Sequence, residues 1–162
     1  MATRRLVLRA ATRDDVATVL AFIRELANYE KLGHEVVATE ELLERWLFGD
    51  RPVAEVVLAE DDGSPVGFAL YFWSFSTFLG RPGIWLEDLY VRPAVRGHGI
   101  GRALLARLAQ IAVAAGGGRV EWAVLDWNEP AIGFYRRLGA VGMNDWTTFR
   151  LAGSALEELA QE

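Results

Sequence analysis

Apolar residues recur at two different periods along this chain of 162 residues, and the switch from one period to the other marks out its elements. Leu6 to Arg9 reads as a short strand. Val16, Val19, Leu20, Ile23, Leu26 and Ala27 then follow at helical spacing, which gives a helix with one apolar face. Thr12-Arg13-Asp14-Asp15 ahead of it has the form of a capping box, in which the Thr12 hydroxyl and the Asp15 carboxylate satisfy free amides. A second, shorter helix is predicted over Glu40 to Leu47, with Thr39 as its cap.

Val53 to Glu60 and Val66 to Phe75 are rich in β-branched and aromatic residues and are split by Asp61-Asp62-Gly63-Ser64-Pro65. That pattern predicts a hairpin. Trp85 to Val91 reads as another strand. Arg96-Gly97-His98-Gly99-Ile100-Gly101 then leads into a helix with Leu104, Leu105, Leu108, Ile111 and Ala115 on one face, ended by Gly116-Gly117-Gly118. Val120 to Leu125 reads as a fifth strand, and Asn128-Glu129-Pro130 opens a helix that runs to Leu138. Trp146 to Leu151 is expected to form a last strand and Ser154 to Leu159 a short helix. The expected fold class is therefore α/β: a mixed, mostly antiparallel sheet flanked by helices, with one central strand–loop–helix unit. No repeat or low-complexity linker interrupts it, so residues 1–162 read as a single domain.

Composition narrows the function. Hydrophobic residues make up 52% and charged residues 24%, the balance of a chain that buries a core. There is no cysteine, which excludes a thiol nucleophile and thiolate metal sites, and His34 and His98 are the only histidines. No metal is expected. Met1 to Arg9 is too short and charged for a secretory leader, and no apolar run reaches a membrane span, so a soluble cytoplasmic protein is expected. A formal net charge of −5 disfavours nucleic acid and suits a cationic small molecule.

The glycine segment carries the most chemistry. Three glycines at alternate positions, Gly97, Gly99 and Gly101, let the backbone approach a ligand closely. The helix start behind them offers unpaired amides to an anion, and a pyrophosphate suits that place. A Walker loop would end in Gly-Lys-Ser/Thr, which is absent, and the spacing is not that of the dinucleotide fingerprint.

Arg96-Gly97-His98-Gly99-Ile100-Gly101 resembles the Arg/Gln-x-x-Gly-x-Gly/Ala loop of the GNAT acetyltransferase superfamily. Three further segments resemble the spermidine/spermine (diamine) N-acetyltransferase family, which includes thialysine-acetylating members. They are Glu25-Leu26-Ala27-Asn28-Tyr29-Glu30, Leu86-Glu87-Asp88-Leu89-Tyr90-Val91 and Trp127-Asn128-Glu129-Pro130-Ala131-Ile132-Gly133-Phe134-Tyr135. The resemblance runs over essentially the whole chain and implies the GNAT acyl-CoA N-acyltransferase fold, acetyl-CoA as cosubstrate and a homodimer.

It also implies roles. Leu89, Tyr90 and Val91 pair with the pantetheine arm of the coenzyme, and Arg96, Gly97, His98, Gly99, Ile100, Gly101 and Arg102 hold its pyrophosphate. Asn128, Pro130 and Ala131 complete the coenzyme site, and Tyr135 is the general acid that protonates the departing thiolate. Glu87 is the expected base. Strand alternation sends Glu87 and Asp88 to opposite faces, so one of the two looks into the cleft. Tyr29, Glu30, Glu87 and Asp88 are expected against the amine, with Glu121, Trp122 and Ala123 as another wall and Asp145 or Trp146 toward the far end. Leu138 departs from the family, which carries a basic residue there, and the segment 141–148 is shorter than in animal members. The amine therefore stays open among a polyamine, a shorter diamine, thialysine, an amino acid, an aminoglycoside and a protein N-terminus. A non-catalytic acyl-CoA sensor is the alternative of another class.

Overall fold

The computed structural model describes residues 4–162, so Met1, Ala2 and Thr3, the first part of the Met1 to Arg9 segment weighed above, lie outside the described residues. The chain packs as two compact units, the first ending at Ala123 and the second running from Val124 to Glu162. Among the described residues no helix is long and apolar enough to cross a membrane.

The first unit is built on one sheet in the order β1-β2-β3-β4-β5. Its strands are β1 (Leu6–Ala10), β2 (Glu55–Asp61), β3 (Ser64–Ser76), β4 (Arg81–Val91) and β5 (Val120–Glu121). Every pairing is antiparallel except that of β4 with β5, which is parallel. Three helices belong to this unit: α1 (Val16–Tyr29), α2 (Glu40–Phe48) and α3 (Ile100–Ala114). Thr39 caps α2 as expected, its hydroxyl accepting from the Leu42 amide at 3.2 Å. The Asp15 half of the expected capping box also forms, with the carboxylate accepting from the Thr12 amide at 2.7 Å.

Alternation along the strands sorts the core into two layers. Val56, Leu58, Phe68, Leu70 and Tyr90 face α1 and α2, where they cluster with Val19, Phe22 and Leu47. The Phe22 and Phe68 rings stack with centroids 5.5 Å apart. Val57, Ala59, Ala69 and Ile84 are buried on the other face, beneath the apolar stripe Ile100, Leu104, Leu105, Leu108 and Ala112 of α3. Gly67 marks where β3 presses closest on β4: a Cβ there would lie 2.6 Å from the Tyr90 carbonyl oxygen.

β4 departs from a regular strand in two places. Leu70 pairs with Asp88 but Tyr71 pairs with Leu86, so Glu87 is the extra residue of a bulge. On its other edge β4 pairs with β5 only at Ile84 and Trp85. From Leu86 to Val91 that edge has no strand partner among the described residues.

Three expected strands are corrected. The fifth was expected over Val120 to Leu125, yet β5 stops at Glu121, where its pairing with β4 ends at Trp85 although β4 itself runs on to Val91. β4 itself starts at Arg81 rather than Trp85, the long hairpin with β3 supplying its partner. In the second unit, Trp146 to Leu151 forms no strand. Its apolar residues stand in the open, Trp146 at 73% and Phe149 at 92% exposure, so composition alone did not make a strand. This unit contains α4 (Glu129–Arg137) and α5 (Gly153–Leu159). The Asn128 side chain caps α4 by accepting from the Ala131 amide at 3.4 Å, and Pro130 occupies the first turn.

Candidate active site

β4 runs through a one-turn 3-10 helix, Pro93–Val95, into the glycine loop and then α3. Gly97 and Gly99 both sit at φ 80°, the left-handed region, and a Cβ on either would project into open space. Any other residue would be strained there and would also fill the space in front of the loop. No side chain caps α3. Its first backbone bond is that of Ala103 to the Gly99 carbonyl at 2.9 Å. The amides of Ile100, Gly101 and Arg102 are therefore those a helix cannot satisfy internally. They face the end where the dipole is positive, which suits an anion such as a pyrophosphate.

Two side chains hold the loop in shape. His98 Nδ1 lies 3.0 Å from the Val95 carbonyl and 3.1 Å from that of Arg96, so Nδ1 carries the proton and donates. Arg96 Nε donates to the Val91 carbonyl at 2.8 Å, closing the loop back onto the end of β4.

A second cluster is acidic. Asp88 lies on the α1 face of β4, since it pairs with Leu70, and it is partly buried. Burial pushes its carboxyl up to about 7, with the charges of Glu87 and Glu30 adding to the effect. Glu30 follows the last residue of α1, and burial raises its carboxyl as well. Glu87, the bulge residue, is exposed and accepts from the Trp85 indole Nε1 at 3.0 Å. Three carboxyl groups thus converge where Tyr29 ends α1. Near neutral pH Asp88 is poised between its two states, the condition for taking a proton from a cationic ligand.

The structure brings Tyr29, Glu30, Glu87 and Asp88 together with Tyr90 and Arg96 around the end of α1 and the loop root. Leu89 and Val91 lie on the strand whose far edge is unpaired. Glu121 ends β5 and is engaged with Arg119 at 3.1 Å, and Trp122 and Ala123 follow it in irregular backbone. Asn128, Pro130, Ala131 and Tyr135 belong to the second unit, where the Tyr135 ring packs against Phe134 at 5.5 Å. Asp145 is an exposed residue of the same unit.

Sequence reading missed Trp85, whose indole steers Glu87, and Arg92, whose Nε donates to Glu25 at 3.3 Å. The signal for Trp85 was its i, i+2 spacing from Glu87 on one strand. Arg92 gave none, because its partner lies 67 residues away.

Comparison with known proteins places this arrangement. Residues 20–140 match the family model for the Acetyltransferase (GNAT) family. Thialysine N-epsilon-acetyltransferase of Mus musculus is 41% identical, over 94% of this chain and 96% of its own length. An L-ornithine N5-acetyltransferase of Arabidopsis thaliana is 32% identical, over 94% of this chain and 86% of its own. Among solved structures, an integron cassette protein of V. cholerae superposes with a TM-score of 0.80 at 27% identity, covering 97% of this chain and 98% of that one. An aminoglycoside acetyltransferase from a soil metagenome shares the fold, at a TM-score of 0.76 and 18% identity over 91% of this chain and 95% of its own. The matched region takes in both the glycine loop and α4, and by that match and these relatives the chain belongs to the GNAT acetyltransferase family.

Proposed function

We propose that the protein transfers acetyl from acetyl-CoA to a primary amine of a small polycationic substrate, a diamine, polyamine or thialysine-like molecule, by direct attack in a ternary complex. The observation that carries this reading is the convergence of Glu30, Glu87 and Asp88, which suits a cation. Relatives that act on thialysine and on L-ornithine support the same class.

In this reading the amides of Gly97 to Arg102 hold the pyrophosphate, and the edge from Leu89 to Val91, which lacks a strand partner among the described residues, pairs with the pantetheine arm. Asn128, Pro130 and Ala131 contribute from α4. The base expected from the resemblance was Glu87; in this reading Asp88, the less exposed of the two and raised by its burial, takes that role with Glu87 beside it and accepts a proton from the bound ammonium. The neutral nitrogen forms its bond to the thioester carbonyl carbon as the carbon–sulfur bond breaks. Tyr135 gives its hydroxyl proton to the departing thiolate, and the second proton, shed by the acylated nitrogen as it becomes a neutral amide, restores the Tyr135 hydroxyl. Tyr29, Glu121, Trp122, Ala123 and Asp145 shape the amine site. The whole chain serves as one acetyltransferase domain, in the cytoplasm and as a homodimer.

The test is thiol release from acetyl-CoA with a panel of spermidine, putrescine, thialysine, lysine, ornithine, an aminoglycoside and a short peptide. Release with a polycationic member, falling about 100-fold or more in Tyr135→Phe, is expected. Release with the aminoglycoside or the peptide alone would overturn the substrate class. Coenzyme binding without release from any member would favour a sensor. Light scattering on the same preparation should give the mass of two chains, and a single-chain mass would refute the dimer.

A further inference from the structure

Phe22, Glu25 and Tyr29 stand at i, i+3 and i+7 on α1, one stripe along its C-terminal half. That stripe meets two arginines, Arg92 and Arg96, which flank the 3-10 turn at the root of the glycine loop. The Arg92 guanidinium lies 4.9 Å over the Phe22 ring centroid, and the same side chain donates to Glu25 at 3.3 Å and to the Pro65 carbonyl at 3.2 Å. The Arg96 guanidinium lies 5.0 Å over the ring of Tyr29 and 5.6 Å over that of Tyr90. Both distances are those of cation–π contacts. Tyr90 in turn packs on Phe22, centroids 6.0 Å apart, so the chain of contacts is anchored in the core.

The loop is therefore held at both of its arginines by a single helix. Tyr29 precedes Glu30, whose charge acts on Asp88 together with that of Glu87. One helix end reaches the anion loop on one side and the acidic cluster on the other.

We propose that the Phe22–Glu25–Tyr29 stripe clamps the glycine loop through Arg92 and Arg96, and that Tyr29 is a positioning residue for the coenzyme. The proposal rests on the acetyltransferase reading and adds to it a link between the two sites. The clamp orders the loop before the coenzyme arrives, so the ordering entropy is not charged against binding. Any ligand that shifts Tyr29 must change coenzyme affinity, and by reciprocity the coenzyme changes that ligand's affinity by the same factor.

The test needs no amine. Coenzyme A is titrated by calorimetry into the full-length protein and into Tyr29→Leu, Tyr29→Phe, Arg96→Gln and the Tyr29→Leu/Arg96→Gln double variant, with thermal melts as the folding check. Tyr29→Leu should weaken coenzyme A by about three- to ten-fold, the scale of one such contact. Tyr29→Phe keeps the ring and should bind as the wild type does. In the Arg96→Gln background the Tyr29 change should add less than about two-fold, because residues acting through one contact are not additive. Tyr29 is 40% exposed, so its loss leaves the core intact, and Tyr29→Gln provides a second variant if Tyr29→Leu melts early. Unchanged affinity in Tyr29→Leu, or its full effect persisting without Arg96, would overturn the clamp while leaving the enzyme reading standing. A wild type that does not bind coenzyme A would instead bring down the acetyltransferase reading and the clamp with it.

Discussion

The two ends of α1 treat the same residue type in opposite ways. Before its N-terminus, Asp15 receives Arg9 through both terminal nitrogens, at 2.7 and 2.8 Å, and the Thr12 amide at 2.7 Å. Arg9 also reaches Glu60 at 2.9 Å. The Arg9 hydrogen bonds hold the Asp15 carboxyl down at about 2 despite its burial. Beyond the C-terminus, burial raises the Asp88 carboxyl to about 7, and the charges acting on it, those of Glu87 and Glu30, add to the rise. One end converts buried charge into stability. The other keeps charges of one sign together, which destabilises the fold and leaves a place for a cation or a proton.

Replacing each aspartate sharpens the contrast. Asp88→Asn should lower kcat/KM by about 100-fold or more, measured by thiol release with the best amine. The same change should raise Tm at pH 8. The folded pKa of Asp88 lies above its ordinary 3.8, so the group takes stability away as pH rises between those values, and asparagine removes that loss. A fall in both activity and Tm would mean that Asp88 is structural.

Asp15→Asn should do the reverse, lowering stability by about 2 kcal/mol at pH 7 with coenzyme affinity unchanged. The folded pKa of Asp15 lies below 3.8, so its stabilisation is complete above that value and is lost as pH falls toward about 2. Urea unfolding at pH 7 and at pH 3 checks this: the gap between wild type and Asp15→Asn should narrow at the lower pH. A constant gap would contradict the ion-pair account.

Much of this was legible in the chain. The apolar period of α1, the turn before β3, the Thr39 cap and the glycine loop all follow from local patterns, and each forms where expected. Positions set by pairing between distant segments were not legible. The Glu87 bulge is a property of the register between β3 and β4, and it moves Asp88 onto the α1 face beside Glu30. Alternation predicts Glu87 and Asp88 on opposite faces, but the bulge at Glu87 interrupts the alternation at this step. Trp146 to Leu151 shows the converse, a sequence with strand composition and no ladder to join.

Asp88 of the free protein is expected to hold a proton near neutral pH because it is buried among acids. Carbon-13 NMR of the Asp88 side-chain carboxyl, followed from pH 4 to 9, tests it directly. The midpoint should lie near about 7 in the free protein and lower in Glu87→Gln, where one repelling charge is gone. A midpoint near 4 in the free protein, or one unmoved by Glu87→Gln, would contradict it.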